Sequence, residues 1–157
     1  MPDQVRPVND RDIAAMAGLR AQTWGTESYW QMRIEAYLRG ELWPKHALAS
    51  RAAFVAIEDE RVVGLVAGHL MRRYGCDGEL EFIDVDREQR GSGIAGMLIA
   101  TMARWFVQQE ARRVCVNVDP KNVVARRFYA KHGAIRLNEH WMVWEDAWGI
   151  GLPSEGV

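Results

Sequence analysis

The sequence is poor in the features that mark specialised chain classes. It has two cysteines, Cys76 and Cys115, too few for a disulfide framework and without metal-type spacing. Free thiols are expected in a reducing compartment, which points to the cytoplasm. No apolar run approaches the length needed to span a bilayer. The opening residues Met1–Arg6 do not read as a signal peptide. Lys and Arg number 20 against 21 Asp and Glu, a net charge of −1, so the excess positive charge of a general nucleic-acid binder is missing. Internal repeats and low-complexity segments are also missing, which excludes solenoid and linker-like organisation.

What is present suits one soluble domain over residues 1–157. That length buries a sizeable core, and 48% apolar with 26% charged residues is the balance of a globular protein. Seven tryptophans are many for this length, enough for both core and pocket walls.

The chemistry gathers at Arg90-Gly91-Ser92-Gly93-Ile94-Ala95-Gly96. This stretch follows an apolar-alternating run, 79–85, and opens a helical pattern with Ile94, Met97, Leu98, Thr101, Met102 and Trp105 on one face. Strand, glycine-rich turn and helix N-terminus together bind phosphate. Glycines let the backbone approach an anion, and the unpaired N–H groups of the first turn point at it. Two patterns fit. Gly91 to Gly96 spells G-x-G-x-x-G, the dinucleotide fingerprint of an NAD-dependent oxidoreductase. Arg90 to Ala95 spells R-x-x-G-x-A. In a dinucleotide fold the first glycine makes the tight turn at the strand end. Here Asp86-Arg87-Glu88-Gln89-Arg90 intervene.

In chain order, Val5–Val8 reads as a strand kept at an edge by Pro7. Asp10 or Asp12 caps a helix over about 11–22, which Gly25 ends. Thr26 caps a second helix over 27–39, with Trp30, Ile34, Tyr37 and Leu38 on one face and Gly40 at its end. Segment 41–51, with Pro44, reads as a loop. Strands over 53–57 and 61–70 form a hairpin, in which Gly64 and Gly68 signal a bulge or a close backbone approach. Arg72 to Gly78 reads as a polar loop. Residues 79–85 form the central strand. A strand over 114–118 returns after the long helix and is therefore parallel to it. Asn122 caps a helix to about Lys131, ended by Gly133. Two final strands cover 134–137 and 141–144, and a loose tail begins near 147. The order β-α-α-β-β-β-α-β-α-β-β predicts a mixed α/β (α+β) fold, a central mixed sheet of six to seven strands flanked by helices on both faces. A doubly wound nucleotide fold would alternate strand and helix from the start, which counts against the dinucleotide reading.

From Glu79 to about Leu137 the chain resembles the core motifs of the GNAT superfamily of N-acyltransferases. Gln89 to Ala95 matches its acyl-coenzyme A loop, where a polar insertion after the strand is normal. Asn122 to Ala134 resembles N-x-x-A-x-x-F-Y-x-x-x-G-F/A. The motifs stand in the family's order, with one strand between them. The resemblance implies an acetyltransferase using acetyl-coenzyme A and no metal. Backbone amides of Gly91, Ser92, Gly93, Ile94, Ala95 and Gly96 would cradle the pyrophosphate beside Arg90. The backbone of Val85 would pair with the pantetheine arm, admitted where the central strand and the 114–118 strand splay. Asn122 would hydrogen-bond that arm, with Ala125 on the same helix face, and Tyr129 would protonate the leaving thiolate. A phenol of pKa ~10 suits a thiol leaving group.

Glu79 and Glu81 are the candidate bases, alternating onto one face of the strand. A carboxylate near pKa ~4.3 needs burial or a relayed water for that work. The bland alternative is that they balance Arg72 or Arg73. Asn117 stands where some protein-acetylating relatives carry a glutamate, which departs from their arrangement. Trp24, Tyr29, Trp30 and Arg33 fall in the region that overhangs the acceptor site in the family; Trp24 and Tyr29 are the pocket candidates, whereas Trp30 reads as core. The expected acceptor is a small-molecule amine or a peptide, with no nucleic-acid or membrane partner, and homodimers are common in the family. Two other readings stand beside this one: a non-catalytic acyl-coenzyme A sensor on the same fold, and the NAD-dependent oxidoreductase.

Overall fold

The computed structural model describes residues 2–42 and 47–150. The elements are β1 (Gln4–Pro7), α1 (Ile13–Ala21), α2 (Glu27–Leu38), β2 (Ala47–Glu58), β3 (Arg61–Arg73), β4 (Cys76–Val85), α3 (Ile94–Gln108), β5 (Val114–Asn117), α4 (Val123–Lys131), β6 (Ile135–Arg136) and β7 (Trp141–Trp144). The seven strands form one sheet in the order β1-β2-β3-β4-β5-β7-β6, with β1 at an edge as Pro7 requires. β4 and β5 run parallel, joined by α3, and the other neighbours are antiparallel. The mixed sheet flanked by helices, expected from the element order, is the fold.

Each sheet face buries its own core. On one face α3 and α4 bring Leu98, Ile99, Met102, Phe106 and Tyr129 against Val66 and Leu80. On the other, α1 and α2 bring Met16, Trp30, Ile34 and Tyr37 against Val55, Leu65 and Phe82. No helix among the described residues is long and apolar enough to cross a membrane.

Several local expectations are corrected. Neither Asp10 nor Asp12 caps α1 through its side chain. A 3-10 turn precedes that helix, and Asn9 caps the turn while Asp12 reaches back to the Asn9 amide. α1 ends at Ala21, so Gly25 (φ +80°) belongs to the turn before Thr26, which does cap α2 by accepting from the Tyr29 N–H. Within the expected loop 41–51, residues 43–46 lie outside the described residues, and 47–51 belong to β2, where Arg51 stands opposite His69. Cross-strand pairing there overrides a weak local propensity. Arg72–Gly78 is a hairpin rather than a loop. Arg73 pairs with Cys76 across Tyr74 and Gly75, both at positive φ (55° and 71°), the geometry of a two-residue I′ turn. Ala147–Gly149 form a short 3-10 turn and Ile150 is buried; the remainder of the expected loose tail, 151–157, lies outside the described residues.

One irregularity positions the site. On β3 and β4, Ala67 stands opposite Phe82 and the next residue, Gly68, opposite Leu80, so Glu81 is the extra residue of a β-bulge. Leu80 and Phe82, two apart, would share a face in a regular strand; here they enter opposite cores. Gly68 permits this approach. A Cβ there would fall 2.8 Å from the Glu79 carbonyl oxygen and 2.9 Å from the Phe106 ring.

Candidate active site

Two clefts meet β4. The first is a groove of about 520 Å³ lined by Ile83, Asp84 and Val85 of the strand, by the loop and helix start from Gln89 to Gly96 except Ser92, and by Val124, Phe128, Tyr129, Lys131 and His132 of the α4 region. Gly93 caps α3 with φ +87° and no side-chain cap bond, which leaves the first amides of the helix without an internal partner. Gly91 is also left-handed, at φ +84°. The Ser92 hydroxyl is turned back, donating to the Gln89 carbonyl and bracing the loop. Arg90 lies close enough to Asp84 to favour its charged form.

Tyr129 is buried among Phe128 and Trp144, and its hydroxyl has no hydrogen-bond partner among the described residues. Burial pushes the phenol well above its ordinary value, and the Asp84 charge adds to this. Asn122 and Ala125 do not line the groove. The Asn122 side-chain oxygen instead accepts from the Ala125 N–H and caps α4. Lys131 and His132 bring positive or ionisable groups to the groove that the motif reading did not single out.

Beyond Leu80 and Val116 the parallel pairing of β4 and β5 stops. β4 continues to Val85 while β5 ends at Asn117, so beyond Leu80 the β5-side edge of β4 has no strand partner among the described residues.

The second cleft is a cavity of about 580 Å³. β3 supplies His69, Met71 and Arg73, alternate residues on one face. β4 supplies Glu79, Glu81 and Phe82, α1 supplies Arg20, and the turn and start of α2 supply Trp24, Tyr29, Trp30 and Arg33. Asn117 and Trp141 close it. Trp24 is 57% exposed and stacks on Tyr29 and Trp30, whereas Trp30 is core, as its spacing predicted.

Inside this cavity a buried chain runs Tyr37–His69–Glu79. The Tyr37 hydroxyl is 2.7 Å from His69 Nδ1, and His69 Nε2 is 3.3 Å from Glu79 Oε1. If Tyr37 donates, Nδ1 accepts and Nε2 carries the proton that Glu79 receives. Glu81 stands beside Glu79. Burial, then the neighbouring Glu79 charge and their hydrogen bond, push the Glu81 carboxyl up to about 8, against the pull of Arg20 and Arg33. Ligand-type atoms of His69, Glu79 and Glu81 lie within 4.8 Å of one another, one nitrogen and two carboxylates arranged to receive a cation. Neither Glu79 nor Glu81 is ion-paired with Arg72 or Arg73 among the described residues.

Arg20 ties the two clefts together. It bonds Asp84 at 2.5 Å and lies over the Trp30 and Phe82 rings, 4.2 and 4.5 Å from their centroids. His69, Tyr37, Arg20 and Asp84 were not singled out as site residues from sequence, and Arg33 was placed only in the region overhanging the acceptor. The one available signal was His69, a polar residue inside the apolar run Val62–Met71.

A family model described as the acetyltransferase (GNAT) family matches residues 13–134. Aminoglycoside N(6')-acetyltransferase type 1 of Salmonella typhimurium is 29% identical over 115 residues, which cover 61% of this chain and 79% of that protein. Among solved structures, aminoglycoside N-acetyltransferase AAC(6')-Iy in complex with CoA aligns at TM-score 0.66 and 25% identity, over 83% of this chain and 86% of that one. Aminoglycoside antibiotic 6'-N-acetyltransferase AAC(6')-IG from Acinetobacter haemolyticus aligns at TM-score 0.72 and 18% identity, over 86% and 92%, a likeness of fold.

Proposed function

The chain belongs to the acetyltransferase (GNAT) family, and from that premise we propose that it moves an acetyl group from acetyl-coenzyme A to a primary amine of a small molecule or peptide, by direct attack in a ternary complex. The observation that carries this reading is the placement of the two clefts. β4 leads from a cavity holding paired carboxylates to a groove under unpartnered helix-start amides, and the sheet is parted between β4 and β5.

In the groove, the amides of Gly91, Ser92, Gly93, Ile94, Ala95 and Gly96 and the charge of Arg90 hold the pyrophosphate of coenzyme A. The exposed edge of β4 near Val85 takes the pantetheine arm. Asn122 keeps its side-chain NH2 for that arm, since only its oxygen is engaged in capping. In the cavity, Trp24 and Tyr29 wall the acceptor, and Glu81, helped by Glu79, takes a proton from the substrate ammonium. A base near 8 is matched to that task near neutral pH. The freed nitrogen attacks the thioester carbonyl, the C–N bond forms, the C–S bond breaks, and Tyr129 gives its proton to the departing thiolate. Neither cysteine lines either cleft. Both are buried with their thiols pushed up, which supports direct transfer rather than an acetyl-cysteine intermediate.

A thermal-shift titration with coenzyme A, acetyl-coenzyme A and NAD in parallel tests the reading, followed by detection of free thiol with an amine panel. A ligand that binds only the folded state raises the melting temperature. The coenzyme A compounds should stabilise and an amine should release thiol. Stabilisation by NAD alone would return the glycine loop to the dinucleotide reading, and stabilisation by acetyl-coenzyme A with no thiol release for any amine would favour the sensor.

A further inference from the structure

The acceptor cavity holds more positive charge than a site for a simple cation needs. Arg20, Arg33 and Arg73 line it against Glu79 and Glu81. Arg20 is committed to Asp84. Arg33 and Arg73 have no ion pair among the described residues. They rest on aromatic rings, Arg33 over Tyr29 at 5.5 Å and Arg73 over Trp141 at 5.8 Å. The Arg33 Nε is fully buried with no hydrogen-bond partner among the described residues. Arg33 itself is half-buried, so its terminal nitrogens can reach the cavity, and a buried N–H left without an acceptor is costly until a ligand completes it. Arg33 and Glu81 line the same cavity, so its fork and the candidate base address one small molecule. Apart from Tyr29, His69 and Asn117, the remaining wall is apolar, chiefly Trp24, Trp30, Met71, Phe82 and Trp141.

We infer that the acceptor is an amino acid with an apolar side chain, its amine at Glu81, its carboxylate on Arg33, and its side chain among the tryptophans. This rests on the acetyl-transfer reading above and narrows it. Arginine's planar fork matches a carboxylate bidentately, the recognition lysine or an amide cannot reproduce. A polycationic aminosugar would instead set additional ammonium groups against Arg33 and Arg73, with one of the two cavity carboxylates already held by His69. The site thus selects for a nearby carboxylate and against a second cation. The products are an N-acetylated amino acid and coenzyme A, with the atoms and protons distributed as in the transfer described above.

The test compares the L-amino acids with their decarboxylated amines and with the aminoglycoside kanamycin, all with acetyl-coenzyme A. An apolar amino acid should exceed its decarboxylated amine at least about tenfold in kcat/KM, the scale of a charge-assisted hydrogen bond pair. Arg33→Gln should remove that advantage, mainly through KM, by lowering kcat/KM for the amino acid at least about tenfold more than for its decarboxylated amine; Arg33→Lys should recover part of the difference. The amine also controls for any change in Glu81 ionisation, which would affect both substrates alike. A decarboxylated amine or kanamycin acetylated as well as the amino acid, or an equal loss on both in Arg33→Gln, overturns the inference and leaves acetyl transfer standing. Equilibrium dialysis of the labelled amino acid, with coenzyme A present, separates the remaining case. Binding that needs Arg33, without acetylation of any amine, upholds the amino-acid site on Arg33 and defeats both the transfer reading and the acceptor role; no binding and no acetylation overturns the inference.

Discussion

β4 faces a cavity made of side chains along Glu79–Phe82 and a groove made largely of backbone along Ile83–Val85. The groove's principal groups are amides at the start of α3, contributed by one contiguous loop and held by two left-handed glycines. The cavity's are titratable side chains from α1, α2, β3 and β4, gathered across both sequence and sheet. The groove holds its ligand through fixed dipoles that no proton alters. The cavity holds Glu81, whose charge depends on pH, on burial and on the Glu79 carboxylate beside it. One cleft is suited to a constant cosubstrate and the other to chemistry and choice.

The contrast can be broken most severely at Tyr129, a side chain of the groove that is proposed to give the proton completing the transfer begun in the cavity. Tyr129→Phe removes the proton donor while keeping the ring against Phe128 and Trp144, so kcat should fall by about 10²–10⁴, with coenzyme A affinity unchanged in calorimetry. Asp84→Ala strikes the link between the clefts. It leaves the Arg20 guanidinium, whose side chain is 17% exposed, without its carboxylate, and should cost about 3–5 kcal/mol in denaturant unfolding.

Two smaller effects separate the clefts. Gly93→Asp sets a negative charge at the α3 start and an unfavourable φ, and should weaken coenzyme A binding at least about tenfold while leaving the Glu81 ionisation in place. The gentlest test is pH alone. Because the Glu81 carboxyl is raised to about 8, kcat/KM should climb about tenfold from pH 7 to 9 and level off above, reporting the Glu79–Glu81 pair as a unit. The same shift has a sign for stability. A carboxyl raised in the folded state contributes stability that is full below its unfolded value of about 4.3 and lost as pH rises through about 8. Glu81→Gln should therefore flatten the fall in melting temperature over that window.

The difference between the clefts also explains what sequence alone could reveal. The glycine loop and the Asn122 cap are close in sequence to the helices they start, so spacing located them, whereas the role of Tyr129 came only from the resemblance of its helix to a family motif. The cavity was legible only in fragments. Glu79 and Glu81 were found by alternation, yet they share the cavity because of a bulge, which a strand pattern does not encode; Gly68 was its sole local trace. His69, Tyr37, Arg20 and Arg33 become site residues through pairing 10 to 60 residues away along the chain, a scale on which local periodicity is silent. The hairpin at Tyr74-Gly75 was hidden for a simpler reason, since a two-residue I′ turn usually advertises itself with Asn-Gly or Asp-Gly.

The parting of β4 from β5 has a further consequence. Gly78–Leu80 against Val114–Val116 are the three rungs that join the four-stranded half of the sheet to the three-stranded half. A seam this short is the natural place for the domain to breathe. Amides of Glu81–Val85 on the open side should exchange with solvent sooner than those of β3 behind them, which stay laddered on both flanks. A ligand strung along that edge would act as a missing strand, riveting the two halves and slowing exchange far from its own contacts. Occupancy of the groove would then be felt as stiffness at the cavity before any acetyl group moves.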